Sequence, residues 1–459
     1  MKFYHSFLSL VVVGLMTTVG SVAQETGSAG DGDSAPAASS STESSFSDLS
    51  ATAGDAAPAA PESAVVEAED GSDSSGFFFP GGFGYLPETV SSLGSFDLAP
   101  PIDFKLSLEQ GYNDNVYSRS TANGGRKGSW LSRLMLGTNI LLSDSRTFLN
   151  LSLSVGGKYY WNIDRQSVRP QGRIALAHAF KISPRMTLTN RLSGGYYDQP
   201  DLSRTGVPNR ANSGDYLDLD SHTALSYRWT PRFSTVTSFG ASTIIYQDSD
   251  WRGSDYVSLI FGQSFNFHLA PTVTTVLDTR FRMTGYDDSN RNSTTEYLLA
   301  GVDFKLSPRL TGSARAGAEF RQYRAAGASD GVSPMAELAF GYRFGQGSHL
   351  QWFNRFGYEE GIASTQKNQS FRTGLQISHV ITPRISTRLG GSYSHQTITN
   401  FPSNNSYDQH LITGNIGLDF AVNRSLKIFT TYRLTAVIYD TDASDYHRNE
   451  ISIGAVLRF

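Results

Sequence analysis

Eight short turn signals recur along most of this chain, and their spacing constrains the fold more tightly than any other feature. They are Ser143-Asp144-Ser145-Arg146, Ser183-Pro184-Arg185, Thr230-Pro231-Arg232, Ala270-Pro271-Thr272, Ser307-Pro308-Arg309, Gly345-Gln346-Gly347, Thr382-Pro383-Arg384 and Asn423-Arg424-Ser425. With 144, 184, 231, 271, 308, 346, 383 and 424 as reference points, the spacings are 40, 47, 40, 37, 38, 37 and 41 residues. A repeat of that length accommodates one strand, a loop, a returning strand and a tight turn. Proline suits the turn because it presets φ and cannot donate to a β-ladder.

Between the tight turns lie looser stretches rich in Asp, Asn, Ser, Gly and Arg, such as residues 287–293 and 325–331. Short turns on one rim and longer polar loops on the other is the layout of a transmembrane barrel. Eight turns join sixteen strands in pairs, with one strand before them (Ile102–Tyr117) and one after (Tyr446–Phe459). The expectation is an all-β, antiparallel, up-and-down barrel of about eighteen strands over 102–459. Both chain ends then lie on the tight-turn rim, the periplasmic one in a bacterial outer membrane.

Alternation supports that reading. In Glu450–Phe459, residues Ile451, Ile453, Ala455, Leu457 and Phe459 fall on one face of a strand, and Glu450, Ser452, Gly454, Val456 and Arg458 on the other. A terminal Phe after alternating apolar residues is similar to the C-terminal strand by which outer-membrane barrels present themselves to the barrel-assembly machinery, so Phe459 is read as an assembly signal. Four residues before the reference points stand Ile140, Phe180, Tyr227, Phe267, Phe304, Tyr342, His379 and Phe420. The six aromatics form the expected inner girdle against outer-membrane lipid. Fifteen residues after five of the points come Tyr159, Tyr246, Tyr286, Tyr323 and Tyr439. Parity puts Tyr286 and Tyr439 with charged neighbours, facing the lumen or standing above the membrane.

The chain start reads as an export signal. Lys2 precedes an apolar run to Val19 and a small-x-small site, Ser21-Val22-Ala23, so residues 1–23 are taken as a signal peptide. Residues 24–75 are Ala, Ser, Gly, Pro, Asp and Glu, too poor in apolar side chains to fold, and read as a disordered acidic linker. Residues 76–101 form a Gly and aromatic connector, opening with Gly76-Phe77-Phe78-Phe79-Pro80. Of the chain's 42 acids and 38 bases, 14 acids and no base lie in 24–103, and Lys2 is the base before them. Residues 104–459 therefore carry 28 acids against 37 bases. The net charge of −4 conceals an acidic arm and a basic body. The arm is expected either to solubilise or to meet a basic surface.

Opposite the apolar faces lie charges, which imply water inside the barrel. The lumen-lining residues expected on this basis are Lys105, Glu109, Arg280, Arg282, Lys305, Arg315, Glu319, Arg355 and Arg433. A mixed, net basic lining favours anions if the lumen is open; if the charges pair, they fill it. The longest loop, 199–215, offers Arg204 and Arg210 to an inward-folded constriction, with an ordinary solvent loop as the alternative. No His-Glu-x-x-His, Gly-x-Ser-x-Gly or phosphate-binding glycine loop occurs, and there is no cysteine. No enzyme activity, cofactor, catalytic residue, metal ligand or nucleic-acid partner is expected. Tyr112-Asn113-Asp114-Asn115 presents hard oxygens, read as strand-end turn chemistry in preference to a Ca²⁺ site.

The same run, within Leu106-Ser107-Leu108-Glu109-Gln110-Gly111-Tyr112-Asn113-Asp114-Asn115-Val116-Tyr117, resembles the first strand of the outer-membrane β-barrel "porin 2" type family. The resemblance spans about 102–459 in architecture and supplies no catalytic or ligand residue. It implies a barrel channel for polar solutes, with saccharide or exopolysaccharide passage an expectation because some members are associated with exopolysaccharide export. The alternative is a non-conducting secretion-accessory barrel that docks periplasmic export proteins.

Overall fold

The computed structural model describes residues 102–120, 126–163, 167–198, 215–247, 255–287, 292–324, 330–359, 366–400, 405–440 and 445–459. The regions 1–23, 24–75 and 76–101 and both loop arginines, Arg204 and Arg210, lie outside them. Eighteen strands follow one another: β1 Ile102–Asn113, β2 Ser129–Ser143, β3 Thr147–Tyr160, β4 Val168–Ser183, β5 Met186–Tyr197, β6 Tyr216–Thr230, β7 Phe233–Tyr246, β8 Tyr256–Ala270 and β9 Val273–Tyr286. They continue with β10 Ser293–Ser307, β11 Leu310–Tyr323, β12 Gly331–Gly345, β13 Ser348–Glu359, β14 Gln366–Thr382, β15 Ile385–Asn400, β16 Ser406–Ala421, β17 Leu426–Tyr439 and β18 Tyr446–Arg458. Each pairs antiparallel with its sequence neighbours, and β1 pairs with β18, so the sheet closes without an edge. Among the described residues no helix is long and apolar enough to cross a membrane; the strands supply the span.

The tight turns explain their own sequence. In the Ser/Thr-Pro-Arg turns the hydroxyls of Ser183, Thr230, Ser307 and Thr382 accept the backbone N–H of Arg185, Arg232, Arg309 and Arg384 at 3.2–3.3 Å. Asp144 Oδ1 and Asn423 Oδ1 play that part in the turns without proline, each accepting two backbone N–H groups. Of the two turns with neither device, Ala270-Pro271-Thr272 keeps its proline and the other has Gly347 at φ +69°, a conformation glycine adopts without steric cost.

Six turns carry a register shift just before the turn, from Lys181/Ser183 to Val380/Thr382. The first turn, with Ser143 opposite Phe148, has none, and the last, with Ala421 opposite Lys427, has none either but is one residue longer. The first turn alone therefore switches parity. Tyr159 points outward and packs edge-on against Trp161 with ring centroids 5.2 Å apart, whereas Tyr439 is buried on the inner side. The five tyrosines at equal sequence distance from their turns thus do not share a face.

The outer face is apolar over the whole circumference. Leu108, Leu136, Val155, Leu298, Ile416 and Ile453 are all exposed there. Phe180, Tyr227, Phe267, Phe304, Tyr342 and Phe420 lie on this same face, and each is followed two residues later by another apolar side chain: Ile182, Trp229, Leu269, Leu306, Phe344 and Val422. Pairing rather than single residues makes the band: Tyr227 and Trp229 rings are 4.6 Å apart, and Phe233 and Phe267 4.9 Å.

Candidate functional site: the charged inner wall

Inner-face positions hold most of the buried polar and charged side chains. Two ladder rows concentrate them. In the first, Glu109, Arg133, Lys158 and Arg169 are direct partners on β1, β2, β3 and β4. Three cations and one acid in line require further acids, and these come from elsewhere. Arg133 Nη1 donates to Glu109 Oε2 at 2.6 Å and Nη2 lies 3.7 Å from Glu450 Oε1. Arg433 Nη1 donates to the same Glu450 Oε1 at 2.7 Å, and Asn113 Nδ2 to its Oε2 at 2.9 Å. Lys158 Nζ, the Tyr160 hydroxyl and Gln171 Nε2 converge on Asp198 at 3.3, 3.0 and 3.0 Å. Arg169 Nη1 stands 3.5 Å from Asp215. Asp198, in the loop after β5, is pushed up by burial, but Lys158, Arg169 and Arg133 outweigh that and hold it below its ordinary range.

In the second row, Arg315, Glu337, Arg355 and Arg372 face one another on β11, β12, β13 and β14. Arg280, from β9, reaches across two strands to Glu337 with a two-pronged contact of 3.1 and 3.0 Å, and also binds Asp278. Glu359 receives Arg372 at 2.6 Å and Arg355 at 3.7 Å. Arg321 Nη2 donates to Glu319 Oε1 at 3.2 Å, whose other oxygen accepts the Tyr358 backbone N–H at 3.0 Å. In a ring of eighteen strands β1 and β10 are opposite, so the two arrays occupy facing walls.

Of the side chains expected at the lumen, Glu109, Arg280, Arg282, Glu319 and Arg355 are buried on the inner face, and Lys105, Arg315 and Arg433 are part-buried there. Lys305 shares that parity but is exposed at the tight-turn end. Their commonest partners, Arg133, Lys158, Asp198, Glu337, Arg372 and Glu450, were not singled out by the sequence. The cross-strand rows would have exposed them, but register is fixed only once turn lengths are known.

Asp114 is consumed locally. Its two oxygens accept the backbone N–H and side-chain amide of Asn449 at 2.8 and 2.7 Å, and Arg126 binds it as well. Asn115 Nδ2 donates to the carbonyls of Arg119 and His447. The motif locks the loop end of the β1/β18 seam. Among the described residues no group of three or more His, Cys, Asp or Glu could hold a metal ion.

The tight-turn rim has a chemistry of its own. Between each outward apolar pair lies one inner-parity residue, and at several turns it is basic: Lys181, Arg228, His268, Lys305 and Arg343. The backbone N–H groups of Lys181, Arg228, His268 and Arg343 donate to the carbonyls of Arg146, Arg185, Arg232 and Arg309 in the neighbouring turns at 2.8–2.9 Å. Cation thus sits beside cation around much of the mouth.

A closed barrel with an apolar belt outside and charge arrays inside defines a porin-like protein of the bacterial outer membrane. The chain belongs to the family described as "Putative beta-barrel porin 2", whose model matches residues 91–459. No curated protein matches it. Among solved structures it is similar to OccK3 (OpdO) of Pseudomonas aeruginosa at 12% identity and TM-score 0.41, covering 79% of this chain and 97% of that one. A BenF-like porin from Pseudomonas fluorescens Pf-5 gives 9% identity and TM-score 0.43 over 79% of this chain and 100% of that one. OccAB3 of Acinetobacter baumannii gives 9% and 0.41 over 78% and 99%.

Proposed function

We propose that the barrel is a passive channel for polar solutes, with its tight turns toward the periplasm and its long loops outside. The observation that carries this reading is the distribution of charge: arginines, lysines and carboxylates line facing inner walls, where dry packing would make each costly. Eighteen strands enclose a lumen wide enough for an aqueous path. The paired acids and bases leave a mixed field across the channel, suited to neutral or anionic hydrophilic solutes. Saccharides are the class proposed, with exopolysaccharide among them, and inner rim tyrosines such as Tyr286, beside Tyr256, give sugar rings a surface to stack on. The residues assigned to the lining are Lys105, Glu109, Arg280, Arg282, Lys305, Arg315, Glu319, Arg355 and Arg433, with Arg204 and Arg210 assigned to a constriction. Outer-membrane lipid and the barrel-assembly machinery are the partners required.

Single-channel recording of the refolded protein in a planar bilayer tests the proposal. Steady openings with anion preference support it; a folded, heat-modifiable protein that never conducts sinks it. The second reading, a barrel that docks periplasmic export proteins, is favoured by one observation, the density of ion pairs that tie the inner walls together. It predicts partner capture without conductance.

A further inference from the structure

The rim of cations at the tight-turn mouth is not explained by turn formation. A Ser/Thr-Pro turn needs its hydroxyl and its proline, yet the third position is arginine at 185, 232, 309 and 384. None of these four side chains has an ion-pair partner among the described residues, and all are exposed. Arg228 Nη2 caps the Pro184 carbonyl at 3.1 Å, but that neutral acceptor leaves its charge beside Arg185, which is unfavourable unless an anion offsets it.

Two sources of anion are excluded by geometry or favoured by it. Lipid headgroups approach from the outer face and reach only the exposed turn arginines, whereas Lys181, Arg228, Lys305 and Arg343, which complete the ring, have inner parity, between outward apolar pairs. The chain itself carries the complementary charge. Residues 24–103 hold 14 acids and no base, and five of them, Glu62, Glu67, Glu69, Asp70 and Asp73, fall within twelve residues. That segment enters the barrel at Ile102, which is on the tight-turn rim because β1 runs from there. Residues 74–101 separate Asp73 from Ile102, a contour of up to about 95 Å, ample for reaching any turn of the mouth. Tethering also raises the segment's effective concentration to the millimolar range.

We propose that the cationic ring at the tight-turn mouth is a binding surface for a polyanionic polypeptide, and that its occupant is the chain's own residues 62–73. Recognition is by charge and multiplicity: carboxylates spaced along the segment meet guanidinium groups on several turns of the mouth. The inference does not depend on conductance, so it stands or falls apart from the channel reading.

The absence of cysteine allows a single reporter. Full-length protein carrying Ser72→Cys, labelled with a fluorophore and refolded in neutral detergent, is read by anisotropy. The comparison covers a rim variant (Arg185→Gln, Arg232→Gln, Arg309→Gln), a segment variant (Glu62→Gln, Glu67→Gln, Glu69→Gln, Asp70→Asn, Asp73→Asn) and a rise from ~0.05 M to ~0.5 M salt, over which screening shortens several-fold. The segment variant leaves the barrel untouched, and heat-modifiability on gels checks that the rim variant folds. The expected result is high anisotropy at low salt that falls by about half or more in both variants and at high salt. Equal anisotropy in all three proteins overturns the proposal. A fall in the segment variant alone also overturns it, because the segment then binds elsewhere.

Discussion

Phe104 and Phe459 exchange both of their backbone hydrogen bonds, at 3.2 and 3.0 Å, with their rings nearly parallel and 6.3 Å apart. Phe459 is therefore hydrogen-bonded into the first strand. Everything along the β1/β18 seam continues from this pair, with Lys105 opposite Arg458 and Asn113 opposite Glu450.

Deleting Phe459 removes two hydrogen bonds, each worth about 1 kcal/mol net, and one ring contact of similar size. The expected outcome is a lower temperature of the gel-mobility shift for the refolded barrel. Phe459→Tyr, which keeps the backbone bonds and the ring, should restore it. An unchanged shift in the deletion would show that the seam is held without this pair.

A second seam prediction concerns Gly454, partner of Glu109. A Cβ there would meet the Leu108 carbonyl oxygen at 2.6 Å and the Phe429 ring. Gly454→Val should abolish closure, seen as loss of protease resistance, while Ser452→Val next to it should not.

Arg280 and Glu337 form a buried pair. Glu337→Gln removes a charge from beneath Arg280 and should cost about 3–5 kcal/mol in urea unfolding, the range for breaking a buried ion pair from one side. Asp278 also pairs with Arg280, so replacing Arg280, Glu337 and Asp278 together by apolar residues of similar volume should recover most of that loss. Equal loss in the single and triple variants would mean that the cost lies in packing.

Asp198 is held below its ordinary range chiefly against burial, by Lys158, Arg169 and Arg133. A depressed carboxyl contributes stability above its unfolded pKa, near 3.9, and loses it as pH falls further through the folded value. Wild type should lose stability steeply below about pH 4, and Asp198→Asn should be less stable at neutral pH but lose less on acidification. Unfolding midpoints at several pH values test the sign.

On the channel reading, Arg372→Glu should shift the reversal potential in a salt gradient toward cations. The outward-facing Leu108→Arg should leave selectivity alone and cost about 2–4 kcal/mol in membrane stability, as a cation at mid-bilayer does. The pair of measurements separates the lumen face from the lipid face.

Strand number and the tight turns were legible because each is written locally: a hydroxyl, a proline and an arginine in succession at four turns, an Asp or Asn at two more, recurring about every forty residues. The facing walls were only half legible. Parity identified Glu109, Arg280 and Arg355, but Arg280 finds Glu337 across two intervening strands, a distance that only barrel curvature closes. Tyr159 shows the limit of counting, since one residue of turn length, four between Ser143 and Phe148 against five between Ala421 and Lys427, reverses its face. The basic rim stood in plain view as the third letter of four of the eight turns and was absorbed into turn chemistry.

The pairing of β1 with β18 means that the first barrel strand waits for its partner until β18 is made. Until then both stand as open edges, free to hydrogen-bond with other chains. Such long-range closure is slow to form, so nascent barrels need protection throughout synthesis and export. A chain stopped before Tyr446 would keep a permanent pair of edges, a mark by which an incomplete copy differs from a finished one.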